Sequence, residues 1–313
     1  MKTIRFRLVD DFHGDPRLIE QALSLHYRIR ADSDDPQVVF CGDSFRNGDY
    51  ARYADALRIN VQHENRTPNY SLYHYVLGFR YSQNPRHFRM PLYVRTTLPG
   101  QLIRQPGEAN SLLATKTKFC AQVVSNAHSI RAWRRLSIAD ELDQRQPVDF
   151  GGRYRNNVGG PVADKFAFYA PYRFAICYEN QVWPGHTTEK ITDAMRMRCI
   201  PIYWGNPRIA EEFNPKSFVN AHEFRSTRAL IERILEVDRS PRLYREMLGE
   251  PYFHDNRPNT YFDPVPLGQF LRRAIESPRP RLQRFPIGVS LSEMYRRLYP
   301  YLDYTVARLG IIP

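Results

Sequence analysis

From Phe174 to Phe224 the chain reads as a strand, a short loop, a helix opening on Glu189-Lys190, and a second apolar strand. Phe174 to Tyr178 is apolar and stops at Glu179-Asn180, and Gln181 to Thr187, shaped by Pro184 and Gly185, forms the loop. Thr187 or Thr188 caps the helix, and Ile191, Ala194 and Met195 at i, i+3 and i+4 give it a packing stripe. The run CIPIYWG that follows has the composition of a strand covered on both faces. Strands joined through a helix lie parallel in one sheet, and open parallel sheets bind ligands beyond the carboxyl ends of their strands. Asn180, Glu189 and Lys190 are therefore expected to converge at such an end. A carboxylate suits ribose hydroxyls, and a lysine beside free helix N–H groups suits a pyrophosphate. The stretch predicts a sugar-nucleotide site. The competing explanation is a glutamate that complements the helix dipole beside a solvated lysine.

The same alternation of strand and helix runs through the rest of the chain. Ile4, Phe6 and Leu8 alternate with basic residues as a first strand, and Leu18, Ile19, Ala22 and Leu23 mark a helix through about Tyr27. Gln37 to Cys41 and Leu57 to Val61 are short buried strands. A polar Pro/Gly stretch from Leu98 to Ser111 reads as a linker, after which Lys118 to Val124, a helix around 131–142, and Pro147 to Phe150 restart the pattern. A helix over 226–237 carries Leu230, Ile231, Ile234 and Leu235 on one face. The expected fold class is α/β, with two facing Rossmann-like domains and a cleft between them. The boundaries are 1–112, 113–280, and a basic amphipathic segment 281–313. That segment either packs back on the first domain or lies on a membrane surface.

At 313 residues there is enough chain for two cores, and charged residues at 25% are ordinary. A net charge of +12 is not, and it implies anionic partners such as nucleotide phosphates or an anionic membrane face. Nothing matches a helix-turn-helix, RNA-recognition or KH signature, so no nucleic-acid partner is expected. Cys41, Cys120, Cys177 and Cys199 lie far apart in or at the end of apolar runs and read as buried free thiols. MKTIRFRLVDD lacks the apolar core of a signal peptide, and no run reaches the roughly 18 residues of a membrane span. The expected location is the cytoplasm, with peripheral contact at the inner membrane through the last segment. Asp32-Ser33-Asp34 has the D-x-D pattern of metal-dependent sugar-nucleotide enzymes but sits in a polar turn before Pro36, and reads as a solvated loop.

Tyr178-Glu179-Asn180, Thr188-Glu189-Lys190, Ile200-Pro201-Ile202, Gly205 and Pro215-Lys216-Ser217-Phe218-Val219 stand in this order and at this spacing. This region resembles the hallmark stretch of the α-1,3-fucosyltransferases, above all the bacterial branch of glycosyltransferase family 10. The resemblance implies a GT-B architecture and a GDP-fucose donor held by the C-terminal domain. It further implies Glu189 on the guanosine ribose and Lys190 on the pyrophosphate, with Tyr178, Asn180 and His186 alongside. Tyr178 stands where Phe is usual, and His186 where bacterial relatives often carry Tyr. VDFGGRYRNN, 148–157, is similar to the family's phosphate loop and makes Arg155 the phosphate-binding arginine, with Arg153 second. His63-Glu64-Asn65-Arg66-Thr67-Pro68-Asn69, after the Leu57 to Val61 strand, resembles the segment that supplies the catalytic base, here Glu64, and Arg89-Met90-Pro91-Leu92-Tyr93 matches a further family stretch. His13-Gly14-Asp15 is similar to a turn that lines the acceptor cleft.

The expected function is thus an inverting transfer of L-fucose from GDP-fucose to a 3-hydroxyl of an oligosaccharide or glycolipid acceptor, a bacterial surface glycan in particular. Such a transfer needs a base to take the acceptor's proton. Fixed cations replace an obligatory metal, with Mn or Mg at most stimulatory. The alternatives are a transferase of the same fold using another GDP-sugar, and a basic nucleic-acid- or glycan-binding protein without catalysis.

Overall fold

The computed structural model of the protein describes residues 1–9, 12, 14–43, 52–124, 130–153 and 155–282, with the backbone alone for 130–135. Two parallel sheets organise it. The first takes β1 Thr3–Leu8, β2 Arg28–Ala31, β3 Val38–Cys41, β4 Leu57–Val61, β5 Tyr75–Gly78 and β6 His87–Arg89, in the order β2-β1-β3-β4-β5-β6. The second takes β7 Lys118–Gln122, β8 Val148–Phe150, β9 Tyr172–Tyr178, β10 Ile200–Trp204 and β11 Val219–Asn220, in the order β11-β10-β9-β7-β8. Every pair is parallel.

In the central strands β3 and β4 every residue is buried. Polar residues inside β4 are satisfied locally. Asn60 Nδ2 donates to the carbonyls of Cys41 (3.2 Å) and Gly42 (3.1 Å), and the Arg58 N–H donates to His74 Nδ1 (3.0 Å). The Asn60 bonds fix the ends of β3 and β4 relative to each other, where part of the site is built, and the Arg58 bond ties β4 to the entry of β5. All four cysteines are buried and unbridged.

Helix α1, Arg17–Ser24, buries Leu18, Ile19, Ala22 and Leu23, as its stripe predicts. Against it packs α2, Pro264–Glu276, so the return to the first unit, expected from 281 onward, is already made here. Gly268 permits that approach, because a Cβ there would stand 2.8 Å from the Ala22 carbonyl oxygen. Phe270 of α2 meets the Tyr75 ring edge-on at 5.7 Å, and Tyr27 donates to Glu276 across the same seam. Residues 283–313, most of the expected amphipathic segment, lie outside the described residues.

The 98–111 stretch expected as a linker is tied down. Arg198 donates to the carbonyls of Gln101 (2.8 Å) and Ile103 (3.3 Å) and ion-pairs with Glu108 (2.6 Å), while Asn256 both accepts from and donates to the backbone of Arg104. Arg89, at the end of β6, reaches the second unit. Its guanidinium ion-pairs with the fully buried Glu212 (2.5 Å), donates to the Gly185 carbonyl (2.9 Å), and lies against the rings of Tyr81 and Tyr261. Glu212 also accepts from Asn206 (2.7 Å) and Thr187 (3.0 Å). Tyr93, Phe213, Phe253 and Phe262 pack ring to ring beside this pair, and one apolar core runs through both units.

Candidate active site

The alternation of β9 builds the donor side. Phe174, Ile176 and Tyr178 point into one core with Ile200, Ile202 and Val219, while Ala175 and Cys177 point into the other with Ile191, Ala194 and Met195. Glu179 continues the second set and has no exposure. A buried carboxylate is costly unless paired, and here it is. It accepts from the Thr188 N–H (2.7 Å), from the Thr188 hydroxyl, and from Lys190 Nζ (2.9 Å). Lys190 Nζ also donates to Thr188 Oγ1 (2.9 Å). Thr188 is the N-cap of helix Glu189–Arg196, as the sequence suggests.

Gly205, just after β10, makes room for Glu179. A Cβ there would lie 2.4 Å from Glu179 Cγ and 2.8 Å from the Tyr203 hydroxyl. In the loop, Gly185 takes a φ of +92°, and a Cβ would lie 2.3 Å from the Phe79 carbonyl oxygen, so the loop is pressed onto the first unit. Burial by itself would raise the Glu189 carboxyl. The Lys190 charge beside it and the backbone donor at the helix start outweigh burial and hold it below its usual range.

The first unit supplies the facing wall. Asp43, just past β3 and almost wholly buried, accepts from the N–H groups of His63 (3.1 Å) and Glu64 (3.0 Å), with His63 Nδ1 at 3.3 Å. The buried Arg95 donates to the Gln62 carbonyl (2.6 Å), and its own carbonyl accepts the Asp15 N–H (2.6 Å). Gly14, with φ +91°, sits so close that a Cβ would lie 2.7 Å from the Arg95 oxygen. The turn carrying Glu64 is thereby fixed at its start, over residues 62–64.

A cleft of about 410 Å³ lies between the walls, lined by Gly14, His63, Glu64, Leu92 and Thr96 from the first unit and Asn180, His186, Thr188, Glu189 and Lys190 from the second. Five of the seven predicted site residues meet there, and Gly14 of the predicted acceptor turn joins them. His186 is buried, with Nδ1 3.2 Å from the Gln181 carbonyl and its ring edge-on to Phe79.

Two do not. The Tyr178 ring is in the core beside Trp204 (5.6 Å between centroids), because strand alternation sends it to the face opposite Glu179. Arg155 follows the edge strand β8, which β7 separates from β9, and its guanidinium ion-pairs with Asp140 and Asp143 over the Phe150 ring. Arg153 is exposed. The D-x-D triplet is local, with Asp32 accepting from Arg30 (2.8 Å) and from the backbone of Asp34 and Asp35. Sequence reasoning missed Glu179 and Asp43, the buried acids behind Lys190 and Glu64. For Glu179 the signal was present, since an acid in phase with Ala175 and Cys177 must be buried and paired.

Two parallel Rossmann-like units with a cleft lined from both define the GT-B class, and the comparisons agree. The C-terminal model of glycosyltransferase family 10 (fucosyltransferase) matches residues 113–253, and the model of the α-(1,3)-fucosyltransferase FucT N-terminal domain matches 4–95. The chain belongs to glycosyltransferase family 10, the fucosyltransferases. It is 34% identical over 247 residues to the α-(1,3)-fucosyltransferase FucT of Helicobacter pylori, which covers 65% of this chain. It spans about half (51%) of that relative's length. A crystal structure of an α1,3-fucosyltransferase with GDP-fucose superposes with a TM-score of 0.70 at 27% identity, over 91% of this chain and 94% of that one. HepE of Anabaena, solved with UDP and glucose, shares the fold alone, with a TM-score of 0.54 at 9% identity over 88% of this chain and all of that one.

Proposed function

We propose that the protein transfers L-fucose from GDP-fucose to the 3-hydroxyl of a glycan acceptor, with inversion at the anomeric carbon. The observation that carries this reading is one cleft holding Glu64 on one wall and the Glu189-Lys190 helix start on the other. Glu64 takes the proton of the acceptor hydroxyl as that oxygen attacks the anomeric carbon and the bond to the GDP phosphate oxygen breaks. Lys190, with the positive end of its helix behind it, neutralises the charge that GDP gains, in the role a metal plays elsewhere. Mn or Mg then acts as a stimulant at most. Glu189, ionised at neutral pH, accepts from the ribose hydroxyls. Arg155 enters only by exchanging Asp140 and Asp143 for phosphate.

The acceptor in this reading is an oligosaccharide or glycolipid of a bacterial surface. The work is done in the cytoplasm, with peripheral contact at the inner membrane through 281–313, and the +12 charge supports an anionic surface as partner. The test titrates GDP-fucose, GDP-mannose and UDP-galactose calorimetrically into the protein with EDTA present, and repeats with Lys190→Ala. Metal-free binding of GDP-fucose that the substitution removes is the expected result. Absence of guanine-nucleotide binding by folded protein would sink the reading.

A further inference from the structure

Val182, Trp183 and Pro184 are exposed in the loop between two cleft-lining residues, Asn180 and His186. Trp183 is 43% exposed, and no other Phe, Tyr or Trp among the described residues falls in that class. Isolated exposed apolar residues are ordinary, but this one is posed rather than loose. The Arg80 guanidinium lies over its ring at 4.5 Å, and its carbonyl accepts the His186 N–H (3.0 Å). Arg80 Nε donates to Asn65 Oδ1 (3.4 Å), and Asn65 Nδ2 donates to Gln181 Oε1 (3.3 Å), closing a ring of contacts between this loop and the residue next to Glu64.

We propose that Trp183 is the outer acceptor subsite, its indole stacking on the hexopyranose ring that neighbours the sugar receiving fucose. The ligand class is an acceptor of at least two sugars whose second pyranose ring offers an open C–H face. A pyranose presents a face of C–H groups between its hydroxyls, and a flat indole with one face held by a cation is suited to cover it. The acceptor is favoured over the donor because Trp183 is tied to the Glu64 wall through Asn65, whereas the donor groups sit on the helix of the other unit. This inference rests on the fucosyl-transfer reading above.

The test uses the full chain with N-acetyllactosamine as acceptor and compares wild type, Trp183→Ala and Trp183→Phe. Trp183→Ala should raise the acceptor KM about tenfold, the size of one aromatic stacking contact, with Trp183→Phe in between. Affinity for GDP, followed by calorimetry, should stay within about twofold, which also reports that the variants fold. An unchanged acceptor KM overturns the proposal, as does a GDP affinity that falls in parallel in the soluble Phe variant. Wild type that fucosylates N-acetylglucosamine with the same KM as N-acetyllactosamine overturns an outer subsite. Wild type that binds no GDP fails the transferase reading itself.

Discussion

Glu179, with no exposure, holds Lys190 Nζ at 2.9 Å while accepting both the N–H and the hydroxyl of Thr188. The cation at the helix start is therefore positioned from the protein interior. Glu179→Gln tests this. Coulomb's law alone would make Lys190 a better phosphate ligand once the acid is neutral. A glutamine, however, offers one acceptor oxygen to three donors and turns an NH₂ toward them, so loss of position should win. GDP affinity should fall about tenfold and stability by roughly 3 kcal/mol in urea unfolding, the cost of breaking a buried pair. Tighter GDP binding would show that charge, not position, governs.

Gly205→Ala should reproduce that phenotype without touching an ionisable group. Its Cβ would meet Glu179 at 2.4 Å and Tyr203 at 2.8 Å, so the acid or the strand end must move. The expected outcome is loss of GDP binding in calorimetry together with a lower unfolding midpoint. Wild-type donor affinity would mean Glu179 relaxes without disturbing Lys190.

Glu64→Gln should lower kcat by about 10²–10⁴ and leave GDP-fucose affinity unchanged, the signature of a general base that does not hold the donor. The turn carrying Glu64 is fixed by Asp43, so Asp43→Asn should lower kcat too, through geometry alone. Steady-state kinetics beside calorimetry separate the two effects, and a Glu64→Gln enzyme within a few fold of wild type would remove the residue from the reaction.

Arg89→Ala leaves the buried Glu212 carboxylate without its cation and should cost about 3–5 kcal/mol. Because Arg89 joins the two units, the loss should appear in one cooperative unfolding transition. A loss confined to a separate first transition would contradict the shared core.

His74 supplies a pH dependence. Burial, helped by the charges of Arg58, Arg279 and Arg86, lowers it from 6.5 to about 4. The unfolded chain then binds more protons than the folded one between these values, so stability is full above pH 6.5 and is lost as pH falls toward 4. The contribution is of order 2–3 kcal/mol. His74→Asn, whose amide oxygen can still accept the Arg58 N–H, should flatten the slope of urea midpoint against pH across that window. An unchanged slope would assign the effect elsewhere.

The β9–helix–β10 unit was legible because its periods are clean: an apolar strand, an i, i+3, i+4 stripe, and a Thr cap each specify one local structure. β2 was not, because Arg28–Ala31 is an edge strand whose exposed residues leave no apolar pattern. The return of the chain through Pro264–Glu276 was missed because Pro264, Pro266 and Gly268 obscure the helical stripe of Leu267, Phe270, Leu271 and Ala274. At the site, the residues named from the motif match divide: Glu64, Asn180, His186, Glu189 and Lys190 line the cleft, while Tyr178 and Arg155 do not. Spacing along the chain does not state which face of a strand a side chain takes, nor which acids lie nearer to an arginine than the cleft does.

The aromatic seam of Tyr93, Phe213, Phe253 and Phe262 has a bearing on how the protein can be handled. Either unit expressed by itself would present those rings and one member of the Arg89–Glu212 pair to water. Neither the donor wall nor the Glu64 wall is thus a portable module. Exchanging specificity between relatives means grafting loops such as 181–185 onto an intact pair of sheets, not recombining halves.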